Sequence, residues 1–135
     1  MNRIVSVLAA ASLSAFATAS LAQQIPDYVA KAVADPGRSQ DAANDARRKV
    51  AELVAFSGAK PGDKVVDLIP GSGYFTRVFS KVVGPTGHVY AVWPEPYDNE
   101  SHPDSDRLRA LAKQPGYGNI SVAIQPAAHL SSACW

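Results

Sequence analysis

The sequence predicts an open α/β fold, in which helices pack against a parallel β-sheet. Short, apolar, β-branched segments alternate with amphipathic helical segments over residues 64–124, and this alternation is typical of a parallel sheet. The chain of 135 residues is 47% hydrophobic and 19% charged, a composition that indicates a globular protein. Its 13 Lys and Arg nearly balance 12 Asp and Glu, which argues against a nucleic-acid-binding surface.

Residues 1–22 are predicted to be a signal peptide. Arg3 precedes an uncharged, Ala/Ser-rich run, and small residues stand at Ser20 and Ala22, the -3 and -1 positions of a cleavage site. The alternative, a transmembrane anchor, is disfavoured because the apolar run is shorter than the roughly 20 residues that span a bilayer. We therefore expect a periplasmic or secreted protein that begins at Gln23, with no stable membrane anchor after cleavage.

The next segment, residues 23–40, contains two prolines and predicts an N-terminal arm with one short turn near residues 28–33. From Asp41 onward the pattern becomes helical, and residues 41–135 are expected to form the domain. The apolar positions that recur at helical spacing, and that predict one buried face, are Ala46, Val50, Leu53 and Val54. The basic residues 47–49 are interpreted as solvated surface, and Gly58 suits the position just past the helix end.

Three strands and two further helices follow. Residues 64–69 (KVVDLI) predict a buried strand. Residues 74–83 predict a helix with Phe75, Val78, Phe79 and Val82 on its apolar face. The remaining predicted elements are strands at 88–93 and 120–124 and a helix at 105–114 that buries Leu108, Leu111 and Ala112.

The candidate binding site is the loop after the first strand, since ligands of parallel α/β sheets bind outside the carboxyl ends of the strands. Gly71 and Gly73 would let the backbone approach a ligand closely, and the next helix begins with free N–H donors. Asp67, near the end of the strand, can accept hydrogen bonds. A dinucleotide loop would carry a third glycine where Thr76 stands, so another adenosine ligand is favoured over NAD. The phosphate-loop motif of nucleotide triphosphatases is absent too.

The residues around this loop resemble a known family. Residues 60–67 read KPGDKVVD and residues 71–76 read GSGYFT. Both are similar to the opening of class I S-adenosylmethionine-dependent methyltransferases, in particular the protein-isoaspartate type. Pro70 inside the loop and the preceding VAFSG at residues 54–58 more closely resemble a group of exported, predicted methyltransferases.

The resemblance implies a Rossmann-like methyltransferase fold that binds S-adenosylmethionine. It implies that Asp67, Gly71 and Gly73 line the methionine end of the cofactor, and that the end of the second strand holds the ribose. The cofactor-binding residues it implies are Asp67, Gly71, Ser72, Gly73, Tyr74, Trp93 and Glu95. It assigns neither a catalytic residue nor the methyl acceptor.

Three departures from the family pattern leave a second interpretation open. Ile69 replaces the usual first glycine of the loop, and Trp93 replaces the acidic residue that ends the second strand. Glu95 lies two positions later, and the Trp93 ring either stacks on adenine or packs in the core. The chain also ends after the third strand, so we expect only the N-terminal half of the fold, most simply a truncation. The alternative is a non-catalytic binding or accessory protein, or an inactive fragment.

The sequence predicts neither a metal site nor a disulfide. The histidines do not have metal-ligand spacing, and Cys134 has no second cysteine to pair with.

Overall fold

A computed structural model describes residues 24–97 and 103–126, which form a three-stranded sheet flanked by helices. The helices are α1 (Asp27–Val33), α2 (Ala42–Arg48), α3 (Val50–Ser57), α4 (Tyr74–Val83) and α5 (Asp104–Ala112), and the strands are β1 (Lys64–Leu68), β2 (His88–Pro94) and β3 (Ile120–Gln125). Short 3-10 turns occupy Pro36–Arg38 and Glu95–Tyr97. The predicted signal peptide lies outside the described residues.

The sheet is parallel, and its strand order is β1-β2-β3. Val65 is registered with Val89, and Val89 with Ile120, so all three strands end at the same edge of the sheet. The predicted α/β fold with a parallel sheet is confirmed.

The core consists of two clusters that meet at α4. One cluster joins α1, α3 and α4 through Val29, Val54 and Val78. The other packs α5 on the sheet, with Leu108 and Leu111 against Ala91. Helix α4 has the predicted bounds, and its predicted apolar face is confirmed, because Val78 and Val82 are buried while Phe75 and Phe79 are partly buried against the first cluster.

The N-terminal region differs from the prediction in two details. The short turn predicted near residues 28–33 of the arm is the two-turn helix α1, whose Val29 is fully buried. The single helix predicted from Asp41 is two helices, because Lys49 adopts a left-handed conformation with φ +47°. This break turns Leu53, which was predicted to be buried, to 49% exposure, and leaves Ala46 exposed.

Strand β1 is less buried than predicted. Alternate residues face opposite sides of a strand, and Val66 and Leu68 on one side are 44% and 54% exposed. Among the described residues β1 pairs only with β2, so one of its edges is open.

No helix within the described ranges is long and apolar enough to cross a membrane.

Candidate functional site

The loop after β1 is a tight turn at the carboxyl edge of the sheet. The Ile69 N–H donates to the Val92 carbonyl at 2.8 Å, which ties the start of the loop to β2, and the Gly73 N–H donates to the Pro70 carbonyl at 3.0 Å. Three loop residues have positive φ: Ile69 at +56°, Gly71 at +54° and Gly73 at +84°. The position where Ile replaces the family's glycine is therefore one whose backbone favours glycine.

The two predicted glycines are required for different reasons. A Cβ on Gly73 would lie 2.3 Å from Leu108 Cδ2, so Gly73 lets α5 pack against the start of α4. A Cβ on Gly71 would meet nothing within 4 Å. Gly71 therefore lines open space beside the loop, where a ligand can approach the backbone.

Asp67 lies beneath the loop and is bonded to α4. The Thr76 hydroxyl donates to Asp67 Oδ2 at 2.6 Å. Burial raises the pKa of Asp67 above its usual value, and the hydrogen bond from Thr76 opposes that rise. Sequence reasoning did not single out Thr76 as a site residue, although Thr76 and Asp67 both flank the glycine loop.

Tyr74 is the first residue of α4, and its side chain faces the N-terminal helices. Its hydroxyl donates to Asp45 Oδ1, and the Arg48 guanidinium lies 4.6 Å from the ring centroid. Burial and the bond to Asp45 raise the pKa of Tyr74 to about 12. The Tyr74 side chain thus joins α2 to the start of α4, and only its backbone adjoins the loop.

Trp93 and Glu95 follow the neighbouring strand, at the same edge of the sheet as the loop. Trp93 is 2% exposed and packs in the cluster that contains Leu108 and Leu111. Of the two alternatives for this ring, the structure places it in the core. Glu95 begins the turn after β2 and is exposed.

Sequence reasoning missed two ion pairs that lie behind the loop, of which the first is buried and the second partly buried. Arg77 bonds Asp41 through two nitrogens at 2.6 and 2.7 Å, and Arg38 bonds Asp45 at 3.0 Å. Burial opposes ionisation of Asp45, but the hydrogen bonds from Arg38 and Tyr74 outweigh it and lower the pKa of Asp45. Asp41 and Arg77 are 36 positions apart, so no local pattern could have paired them.

A cavity of about 410 Å³ opens beside the loop, between the start of α2 and α5. Its lining includes Ser72, Arg77, Arg107 and Leu111. A second cavity, of about 470 Å³, lies at the opposite edge of the sheet, next to His88 and Asn119. Only the first cavity adjoins residues of the predicted site.

Within the described ranges no three His, Cys, Asp or Glu side chains are placed to hold a metal ion. His88 Nε2 is 2.8 Å from the Ser121 hydroxyl, and the other two histidines lie outside those ranges.

A family model for protein-L-isoaspartate(D-aspartate) O-methyltransferase (PCMT) matches residues 1–122. The chain belongs to the PCMT family. The chain is 37% identical to the protein-L-isoaspartate O-methyltransferase of Ignicoccus hospitalis over 76 residues, 56% of this chain and 33% of that protein. It is 34% identical to the Methanosarcina mazei protein of the same name over 64 residues, 47% of this chain and 24% of that one.

A further relative has a different name. The ubiquinone/menaquinone biosynthesis C-methyltransferase UbiE of Ectopseudomonas mendocina is 47% identical over 36 residues, 27% of this chain and 14% of that protein. This member of the PCMT family thus spans a third or less of the length of these curated relatives. The resemblance to class I methyltransferases is confirmed, and the predicted membership of an exported group stays a prediction.

Proposed function

We propose that the loop after β1 binds S-adenosylmethionine and that the protein is an S-adenosylmethionine-dependent methyltransferase. The observation that carries this proposal is the open space at Gly71, at the carboxyl edge of a parallel sheet and directly before the ten-residue helix α4. Backbone at such a position can contact a ligand without interference from a side chain.

The relatives support a site for the methyl donor. Their names differ in what is methylated, protein L-isoaspartate in one case and an intermediate of ubiquinone/menaquinone biosynthesis in the other, and in whether the methyl group goes to oxygen or to carbon. What the names share is methyl transfer. The part of the chain that resembles both groups is therefore best proposed to hold the donor.

The residues present fit this cofactor. The carboxylate of Asp67 lies beneath the loop, where it can accept hydrogen bonds from an amine, and the first turn of α4 has no side-chain cap on its N–H groups, so it suits a carboxylate. When bound, the cofactor supplies a methyl group on a sulfonium sulfur. Transfer from a sulfonium depends mainly on positioning.

The test is isothermal titration of the full chain with S-adenosylmethionine. Gly71→Val should weaken binding by at least about tenfold, because the Val side chain would fill the open space and cost the ligand roughly one hydrogen-bonded contact with the backbone. The far-UV circular dichroism should stay unchanged. Gly58→Val is the matched control, because Gly58 also has positive φ, +72°, and open space around its Cβ but ends α3 instead of lining the loop. Equal losses in the two variants, or no binding by the unsubstituted chain, would refute the proposed site.

The methyl acceptor that we propose to test first is the L-isoaspartyl carboxylate, because the names of two relatives specify it. A peptide with one L-isoaspartyl residue should take up a labelled methyl group, and the same peptide with L-aspartate should not. Equal labelling of both peptides, or of neither, would remove this acceptor from the proposal.

A non-catalytic binding protein is the second candidate, favoured by the buried Trp93 where the family has an acid. Introducing an acid at Trp93 is not a usable test, because loss of a buried Trp costs about 3–5 kcal/mol. Glu95→Gln is better, since Glu95 is exposed. If Glu95 bonds the ribose, this change should weaken cofactor binding by about tenfold. Unchanged affinity in the variant, together with no methyl transfer by the unsubstituted chain, would favour the second candidate.

We also propose that the protein is exported and cleaved after Ala22. The intact mass of protein from the extracytoplasmic fraction should correspond to a chain that begins at Gln23. A mass that includes residues 1–22 would contradict this proposal.

A further inference from the structure

Arg77 connects the glycine loop to the residue that precedes α2. Its Nη1 donates to the Ser72 carbonyl at 3.0 Å, while Nε and Nη2 donate to the two oxygens of Asp41. Arg77 and Asp41 are 7% and 6% exposed. One guanidinium therefore holds a loop peptide and a carboxylate of another element at the same time.

The bond to Ser72 fixes more than one atom of the loop. The carbonyl of Ser72 and the N–H of Gly73 belong to the same planar peptide, and that N–H donates to the Pro70 carbonyl. Holding the Ser72 carbonyl thus orients the turn that carries Gly71, next to the open space where a ligand would lie.

The Arg77–Asp41 ion pair is not explained by a contribution to the buried core. Buried ion pairs add little net stability compared with apolar residues of the same volume, and none of the residues in α2 is buried. Helix α2 instead contacts the start of α4 through polar groups, with Asp45 on the Tyr74 hydroxyl and Arg48 over the Tyr74 ring. These contacts all converge on the first turn of α4 and the loop before it.

We propose that Arg77 is a positioning residue for the cofactor loop and that Asp41 holds Arg77 in the required orientation. This inference rests on the proposed function for its effect on cofactor binding, but its effect on the loop itself is independent of any ligand. The planar fork of Arg is essential to it, because a Lys at this position would keep the charge near Asp41 and lose the second arm that reaches Ser72.

The experiment compares Arg77→Lys with Arg38→Lys in the full chain. Arg38 is the matched control, because it is 1% exposed and its guanidinium also joins a carboxylate, Asp45, to a backbone carbonyl, that of Val33. Its guanidinium lies 5.5 Å from the centroid of the Tyr74 ring in α4, but it forms no hydrogen bond with loop residues 69–73. Amide hydrogen exchange is measured without ligand, and S-adenosylmethionine affinity is measured by titration calorimetry.

We expect Arg77→Lys to speed amide exchange at residues 71–73 by about tenfold and to weaken cofactor binding by a similar factor, the loss of one hydrogen bond. Arg38→Lys should leave both within about twofold. Unchanged exchange at residues 71–73 in Arg77→Lys, or an equal change in Arg38→Lys, would overturn the inference.

Two further outcomes are separable. If the unsubstituted chain does not bind the cofactor, the proposed function fails, and the exchange comparison still decides whether Arg77 positions the loop. If Arg77→Lys does not fold, Asp41→Asn replaces it, since Asn keeps one acceptor for Arg77. A smaller rise in exchange at residues 71–73 would then support the inference, and no rise would overturn it.

Discussion

Ile69 allows the backbone conformation of the loop to be tested by the order of stability of two substitutions. The backbone there has φ +56°, and a left-handed conformation costs a non-glycine residue about 1–2 kcal/mol. Glycine avoids that cost but loses about 0.5–1 kcal/mol relative to Ala through chain entropy. Ile69→Gly should therefore be more stable than Ile69→Ala by about 0.5–1 kcal/mol.

Val66 provides the control, because it has the same 44% exposure as Ile69 and lies in β1. In a strand, Ala should be the more stable substitution by about 0.5–1 kcal/mol, so the order of the two variants should reverse between the sites. Urea unfolding measures both pairs, and with an m-value of about 2 kcal/mol/M each difference is about 0.3–0.5 M in midpoint. An Ala variant that is the more stable at both positions would refute the left-handed backbone at residue 69.

Three other predictions concern the residues around the loop. Gly73→Ala should destabilise the fold by about 2–4 kcal/mol through overpacking and strain, because its Cβ would lie 2.3 Å from Leu108. In a double-mutant cycle followed by thermal unfolding, Gly73→Ala should cost less in a Leu108→Ala chain than in the unsubstituted one. Asp67→Asn should raise the free energy of unfolding at pH 7, because the raised pKa of Asp67 means that its ionised form opposes folding. In urea unfolding this gain should shrink as the pH falls through the raised pKa. It should vanish below 3.8, the usual pKa of an aspartate, where Asp67 is protonated in the folded and the unfolded chain. Tyr74→Phe should lose about 1.5–3 kcal/mol with the bond to Asp45. It should also reduce the decline in stability between pH 10.0 and about 12, where the Tyr74 of the unfolded state ionises and that of the folded state does not. Burial raises the pKa of Tyr117 as well, so part of the decline should remain, and an alkaline slope equal to that of the unsubstituted chain would contradict the assignment.

The elements with a strong local pattern could be predicted from the sequence. Helix α4 has the predicted bounds, and strand β2 runs one residue further than predicted, to Pro94. The loop position and the need for glycine at Gly71 and Gly73 also followed from residue type.

What could not be predicted depends on contacts between distant residues or on unusual backbone. Nothing in the side chain of Lys49 marks a left-handed residue, so the break between α2 and α3 was missed. The apolar residues of β1 indicated burial, but exposure depends on which elements cover the strand. The bond from Arg77 to Asp41 joins residues that only the folded chain brings together.

The different surroundings of Gly71 and Gly73 allow related chains to be sorted by a single position. Gly73 is required by the packing of Leu108, so a descendant that no longer bound a ligand at the loop would still keep Gly73. A side chain at Gly71 would meet no atom of the described protein, so once selection for an occupant ended a substitution there would carry only the backbone cost of its φ of +54°, about 1–2 kcal/mol. Substitution at the position of Gly71, with Gly73 retained, is therefore the pattern we expect in lineages that kept the scaffold and abandoned its ligand.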